Sequence, residues 1–170
     1  MILRAKSVWC LLLLLAATPI ASAQVAGFQA FDAYASGPAT AIFDLTPFAG
    51  PELHVIDVNI ALHRNSPSGA VMDNGATGSI ILHDRTRGTD VARMTIDSAF
   101  LFDAGGGHQG LIVEGVAKVQ HDPDVNDNNL PGYTLQLIQG GSPNFLIDVF
   151  DPTFVLSYSA TLPTVTITPR

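Results

Sequence analysis

Residues 53–63 read LHVIDVNIALH and decide the fold class. Apolar and polar side chains alternate along this stretch, which is the period of a β-strand with one buried face and one wet face. A helix would instead need apolar residues three and four positions apart. The pattern therefore predicts a strand whose buried face carries Ile56, Val58, Ile60 and Leu62 and whose wet face carries Asp57, Asn59 and His63.

Similar short stretches follow one another along most of the chain. The predicted strands are Ala41–Leu45, Leu53–His63, Gly78–His83, Val91–Ser98, Leu111–Gln120, Tyr133–Gln139, Phe145–Phe150 and Phe154–Ala160. Clusters rich in glycine, asparagine and proline separate them and favour tight turns. Strands spaced this regularly indicate antiparallel hairpins, and we predict an all-β antiparallel β-sandwich or short β-barrel of about 8–10 strands.

Further predictions concern the two ends of the chain, the faces of one strand and the number of domains. Residues 28–34 fit either a turn of helix or a first strand, and residues 163–170 form a β-prone, frayed tail. Alternation in the strand Val91–Ser98 places Ala92, Met94 and Ile96 on one face. No domain boundary and no strict repeat interrupts the chain, so we predict a single domain over residues 24–170.

The first 23 residues have the pattern of a cleavable signal peptide. Two basic residues, Arg4 and Lys6, precede an apolar run that is too short to span a bilayer comfortably. Ala21-Ser22-Ala23 then supplies small residues of the kind a signal peptidase recognises. We therefore expect cleavage before Gln24, no membrane span in the mature protein, and a secreted or periplasmic location.

Removal of this segment changes the composition of the mature chain. The only cysteine, Cys10, and the only tryptophan, Trp9, both lie within it, so disulfides and thiol chemistry are not expected. It holds two of the eight basic residues and none of the fifteen acidic ones, which leaves a net charge of −9. Nucleic acids and anionic membranes are poor partners for such a chain, whereas cations and neutral molecules are better ones.

The stretch DPDVNDNN, residues 122–129, is the strongest candidate for a ligand site. Oxygen-bearing side chains at alternate positions suit a hard cation such as Ca²⁺, and the candidate ligands are Asp122, Asp124, Asn126 and Asn128. A helix-flanked calcium hand has a glycine at the sixth position of its loop and a glutamate at the twelfth. Asp127 and Tyr133 occupy these positions here, so a site of this kind is excluded. A looser Ca²⁺ site remains one hypothesis, and a solvated hairpin loop rich in turn formers is the other.

Candidate catalytic residues are fewer. His63 shares a strand face with Asp57, so these side chains would line a polar groove, and Glu114 alternates with apolar neighbours that would perturb it. The alternatives are isolated surface histidines and a glutamate at a strand edge or rim. No G-x-S-x-G motif is present. Arg85-Thr86-Arg87 has the charge to bind an anion, but the flanking Asp84 and Asp90 would largely neutralise it, so we expect a solvated turn.

Residues 78–160 resemble the post-COAP type of small secreted bacterial β domain. The matching features are Gly78-Ser79-Ile80 running to Asp84, Thr95-Ile96, Gly115, Pro131-Gly132-Tyr133-Thr134 and Phe145-Leu146-Ile147. The resemblance covers about half of the chain. It implies an all-β fold and export, and it implies no reaction.

Three functional hypotheses are compatible with these observations. The leading one is an exported, non-enzymatic binding or structural module with a cation, a polysaccharide or a protein as its ligand. The second is a small β-barrel enzyme or small-ligand carrier whose polar pocket contains Asp57, Asn59, His63 and Glu114. The third is a self-associating cell-surface or matrix protein, because edge strands pair readily and this chain has few lysines to prevent it.

Overall fold

A computed structural model describes residues 30–65 and 75–170, which form ten antiparallel β-strands and no helix. The strands are β1 (Phe31–Thr46), β2 (Ala49–Arg64), β3 (Thr77–Asp84), β4 (Asp90–Arg93), β5 (Ser98–Gly105), β6 (His108–Gln120), β7 (Gly132–Ile138), β8 (Phe145–Phe150), β9 (Val155–Ala160) and β10 (Thr164–Pro169). Eight of them close into a barrel in the order β1-β2-β3-β4-β6-β7-β8-β9, and β9 pairs back onto β1. The all-β prediction is confirmed, and of its two forms the structure is a barrel with two extra strands.

Two long strands carry the extra ones. The first half of β1 pairs with β10, and its second half pairs with β9. In the same way, β6 pairs with β5 over its first half and with β4 over its last residues. The barrel therefore closes with eight strands at one end, and β5 and β10 are added at the other end.

The inward face of the barrel is apolar. Ile56, Val58, Ile60 and Leu62 are buried as the alternation in residues 53–63 predicts. They join one continuous cluster to which every barrel strand contributes. It includes six aromatic side chains: Phe31, Phe43, Tyr133, Phe145, Phe154 and Tyr158. Burial of apolar area of this kind is the main free-energy term that favours folding.

The prediction for Val91–Ser98 is wrong in part. Strand β4 ends at Arg93, and its inward residue is Val91 rather than Ala92 or Met94. Residues 94–97 form an irregular crossing, because both Met94 and Thr95 donate their backbone N–H to the carbonyl oxygen of Val116. The chain thereby moves from its pairing with the end of β6 to the β5 pairing with the start of β6.

The described residues at both ends of the chain form strands. Phe31 begins β1, and residues 164–169 form β10 along the first half of β1 rather than a frayed tail. The signal-peptide prediction falls on residues 1–23, outside the described residues. Within the described residues, no helix has the length and apolar character needed to cross a membrane.

Gly78 is required at the start of β3. Its φ of +134° is a conformation that residues with a side chain rarely adopt, and an added Cβ would overlap the carbonyl oxygen of Ala61 on β2. Only glycine allows the two backbones to approach this closely.

Candidate functional site

Four of the six buried polar residues in the described part of the chain lie at one end of the barrel, which carries the connections 47–48, 85–89, 121–131 and 151–154. His54 on β2 and Asp84 at the end of β3 both point inward, one position beyond the apolar core. Nδ1 of His54 lies 2.5 Å from Oδ2 of Asp84, and both side chains are buried. We call this end of the molecule the polar end.

Four donors surround the Asp84 carboxylate. In addition to His54, the hydroxyl of Tyr158 on β9 donates to Oδ2 at 2.9 Å. The backbone N–H groups of Thr86 and Arg87 donate to Oδ1 at 2.9 and 3.1 Å. Burial, and then the charge of Asp84, raise the pKa of the Tyr158 hydroxyl, which keeps it as a donor. Asp84 thus fastens the β3–β4 turn to the barrel.

A second charged cluster closes the same end. Arg87 donates from Nε and Nη2 to the two oxygens of Asp122, at 2.7 and 3.0 Å, and from Nη2 to Asp124 at 2.5 Å. Hydrogen bonding to Asp122 is the largest effect that raises the pKa of Arg87. Thr89 donates to Asp122 at 2.8 Å. This ion pair joins the 85–89 turn to the 121–131 loop.

Aromatic packing links the two clusters. The ring of Phe43 stacks on the imidazole of His54 with a centroid separation of 4.1 Å, and its centroid lies 5.3 Å from the Arg87 guanidinium carbon. The other ring nitrogen of His54, Nε2, lies 3.5 Å from Glu52 at the rim. Within residues 30–65 and 75–170, no buried side-chain nitrogen or oxygen atom lacks a hydrogen-bond partner. The polar end is therefore closed and internally satisfied.

The proposed calcium loop takes part in this closure. Both oxygens of Asp122 accept hydrogen bonds from Arg87, Thr89 and backbone N–H groups, and its side chain has no exposed surface. Asn126 accepts the backbone N–H of Asn128, as in an ordinary turn. Among the described residues, no group of three His, Cys, Asp or Glu side chains is placed to hold a metal ion. Calcium binding by Asp122, Asp124, Asn126 and Asn128 stays one of two hypotheses, and the pairing of Asp122 and Asp124 with Arg87 favours the other, a hairpin loop without a cation.

The candidate catalytic residues do not converge. Asp57 pairs with Arg85 on the outer surface, His63 contacts the hydroxyl of Thr77, and the exposed Glu114 accepts a hydrogen bond from Ser98. The apolar environment expected for Glu114 is absent, because this residue lies on the outer face of β6. Asn59 is exposed on the outer face of β2. These residues form separate surface pairs rather than one pocket.

Two histidines from separate segments of the chain share one carboxylate. Nδ1 of His83 and Nδ1 of His121 lie 2.7 and 3.0 Å from the two oxygens of Asp90. Burial alone would raise the pKa of Asp90, but hydrogen bonds from the two histidines, and then their charges, lower it. His121 has a left-handed φ of 61°, and the carboxylate of Asp127 holds its backbone N–H. All three side chains of this cluster are partly exposed, and they connect β3, β4 and the loop after β6.

The sequence singled out Asp122 and Asp124 but gave His54, Asp84 and Arg87 no role at the polar end. His54 shares the parity of the apolar positions 56–62, and Asp84 shares the parity of Ile80 and Leu82, so the alternation itself carried the signal. The predicted solvated turn at Arg85-Thr86-Arg87 is wrong for Arg87, because only 14% of its side chain is exposed. Its carboxylate partner lies 35 residues away, which short-range pattern cannot reveal.

Part of the outer surface of the barrel carries no charged side chain. Five residues on five neighbouring strands are direct cross-strand partners, and we call them the uncharged row: Gln136, Leu146, Ser159, Ile42 and Leu53. Two shallow depressions of about 90 and 260 Å³ lie beside it and share Pro143 and Ser159 in their walls. Asp44 and Asp148 lie one outward position from this row on β1 and β8, and the exposed Glu52 directly precedes Leu53 on β2.

No protein-family model, curated protein or solved structure matches this chain. The resemblance to the post-COAP type of β domain therefore stays a prediction. Support for a function comes from the geometry of the barrel and of its surface.

Proposed function

We propose that the chain is an exported, non-enzymatic binding or structural module that acts through the outer surface of its barrel. The observation that carries this proposal is the closed polar end. There, Arg87 and Asp122 hold two connections together over a barrel whose inward face is filled with apolar side chains. An enzyme or a carrier of this size needs an open cavity with convergent polar groups.

The buried His54–Asp84 pair deserves comparison with a catalytic pair because its hydrogen bond is of the type that orients a general base. Its surroundings favour a structural role. Asp84 holds two backbone N–H groups of a turn, and the Phe43 ring covers the imidazole. The side-chain partners of His54 are the carboxylates of Asp84 and Glu52, whereas a catalytic base would contact a hydroxyl or thiol nucleophile.

Dye binding tests the absence of an internal ligand site. We expect the purified protein to show no saturable binding of a neutral apolar dye such as N-phenylnaphthylamine. Stoichiometric binding that is abolished by Leu135→Trp, a substitution on the inward face of β7, would show an accessible interior and would favour the carrier hypothesis. His63→Trp on the outer face is the matched control, since it should leave any internal binding unchanged.

Hydrolysis tests the enzyme hypothesis. We expect the wild-type protein and His54→Gln to give the same background rates with nitrophenyl esters and glycosides. An activity of the wild-type protein that His54→Gln removes, while the substituted protein keeps its circular dichroism spectrum, would overturn the non-enzymatic assignment.

A further inference from the structure

A second part of the outer surface, on β10, β1, β2 and β3, is rich in hydroxyl groups. It consists of the outward residues of segments 164–168, 32–36, 59–63 and 77–81, which are direct cross-strand partners of one another. We call it the hydroxyl face, because seven of its twelve residues are threonine, serine or tyrosine. It measures about 13 Å along the strands and about 14 Å across them. The face is therefore large enough for an extended ligand.

Tyr34 lies in the middle row of this face. It is 52% exposed, and its direct cross-strand partners, Thr166 on β10 and Ala61 on β2, are too small to cover its ring. Within the described residues, its side chain has no ring contact and no hydrogen bond to another residue. The two other tyrosines of the chain, Tyr133 and Tyr158, are buried. Tyr34 thus offers both an aromatic ring and a hydroxyl group to a ligand.

The polar groups around this ring are available as well. In residues 30–65 and 75–170, the side chains of Ser36, Asn59 and Thr166 make no hydrogen bond to another residue. Threonine on a strand is explained by its high β-propensity, but asparagine is depleted in strands, so sheet formation does not account for Asn59. Hydroxyl and amide groups both donate and accept hydrogen bonds. They therefore suit a ligand that is itself rich in hydroxyl groups.

We propose that the hydroxyl face binds a neutral polysaccharide, with the ring of Tyr34 stacked on one sugar ring. A sugar ring has an apolar face of C–H groups and a rim of hydroxyl groups. An aromatic ring surrounded by hydroxyl and amide groups is complementary to both of these features. The inference deepens the proposed function, because it rests on binding through the outer surface and names the class of ligand.

Charge and composition favour this ligand over others. Asp32, the one carboxylate of the face, pairs with Arg170, and the whole chain carries a net charge of −7. An anionic polysaccharide or a nucleic acid would therefore be repelled. A protein partner would need an apolar centre to the interface. Ile81, the other large apolar side chain of the face, lies two strands away from Tyr34, so the face has no such centre.

Native affinity electrophoresis tests the inference with four soluble neutral polymers: dextran, laminarin, galactomannan and hydroxyethyl cellulose. We expect at least one of them to retard the wild-type protein, and we expect Tyr34→Ala to raise the dissociation constant by about tenfold or more. Phe48→Ala is the matched control, because Phe48 is 54% exposed but lies in the connection between β1 and β2 at the polar end. Retardation by none of the four polymers, or equal effects of the two substitutions, would overturn the inference.

Conservative substitutions separate stacking from hydrogen bonding. Tyr34→Trp keeps a flat aromatic ring, so we expect the dissociation constant to stay within about threefold of the wild-type value. Thr166→Val keeps the branched side chain and removes the hydroxyl group, so binding should weaken by roughly threefold. Thr134→Val on β7, outside the face, should have no effect. A Tyr34→Trp protein as weak as Tyr34→Ala, or equal effects of the two valine substitutions, would contradict the proposed contact.

Tyrosine fluorescence tests the position of the ligand independently. The chain that begins at Gln24 has no tryptophan, so its emission comes from tyrosine, and Tyr34 is the only exposed tyrosine. We expect acrylamide to quench the emission of Tyr34, the retarding polymer to protect it, and Tyr34→Phe to remove the quenchable signal. Binding without protection would place the ligand elsewhere and overturn the inference, whereas internal dye binding or His54-dependent hydrolysis would instead contradict the proposed function.

Discussion

Replacement of Arg87 by methionine tests whether the polar end is closed by a buried ion pair. The substitution keeps an apolar stem near Phe43 and removes the guanidinium that both Asp122 oxygens accept. Asp122 has no exposed side-chain surface, so its carboxylate cannot regain water while the fold is kept. Arg85→Met is the matched control. Arg85 lies on the same turn as Arg87 and pairs with Asp57 on β2, but its side chain is 57% exposed.

The expected magnitudes differ several-fold. Loss of one partner from a buried ion pair costs about 3–5 kcal/mol, and the partial exposure of Arg87 and Asp124 favours the lower figure, about 3 kcal/mol. A solvent-exposed pair such as Arg85–Asp57 contributes below about 1 kcal/mol. For a chain of this length, about 3 kcal/mol corresponds to a decrease in Tm of roughly 10 °C.

Chemical denaturation at neutral pH measures both changes. We expect Arg87→Met to lower the free energy of unfolding by about 3 kcal/mol and Arg85→Met to lower it by less than about 1 kcal/mol. Adding Asp122→Asn to Arg87→Met should recover part of the loss, because the buried charge left without a guanidinium is then removed. Equal losses for the two single variants would refute the buried ion pair as the closure of the barrel.

Three further predictions concern acid, calcium and export. Burial alone would raise the pKa of Asp122, but hydrogen bonds from Arg87 and others hold it below 3.8. The stability it contributes is thus present at neutral pH and is lost as pH falls below about 4, and Asp122→Asn should flatten this acid limb of a pH–stability curve. Because Arg87 already neutralises Asp122 and Asp124, we expect equal melting midpoints in chelator and in millimolar calcium; a rise that Asp124→Ala removes would establish the calcium site. N-terminal sequencing of the exported protein should begin at Gln24, and retention of Arg4 would contradict cleavage.

The alternation of apolar and polar residues predicted the strands because it depends only on residues that are neighbours in the sequence. The alternation in residues 53–63 correctly placed four apolar side chains inward. It did not distinguish a sandwich from a barrel, since that choice depends on the pairing of β1 with β9, which are more than 100 residues apart. The wrong face assigned to Val91–Ser98 has the same origin, because the irregular crossing at residues 94–97 is imposed by hydrogen bonds to Val116 on β6.

The sequence selected Asp57 and His63 as candidate catalytic residues because they are polar and lie on the wet face of one strand. Asp57 and His63 were correctly placed on such a face, yet their partners, Arg85 and Thr77, belong to other segments and make simple surface pairs. The residues that organise the polar end instead occupy apolar parity, as His54 does before Ile56. A polar residue in phase with a buried face is therefore the more informative signal, because its burial requires partners.

The position of these residues explains why they are polar. A strand that leaves the core must connect to a turn, and the first backbone N–H groups of that turn have no strand partner. Asp84 accepts two such groups after β3, and Asp122 accepts two after β6, so each carboxylate ends a strand much as a capping residue ends a helix. His54, Tyr158 and Arg87 supply the donors that make burial of these carboxylates tolerable. The buried charged residues of the polar end are thus accounted for by the closure of the barrel, which is consistent with the proposal that the chain binds through its outer surface.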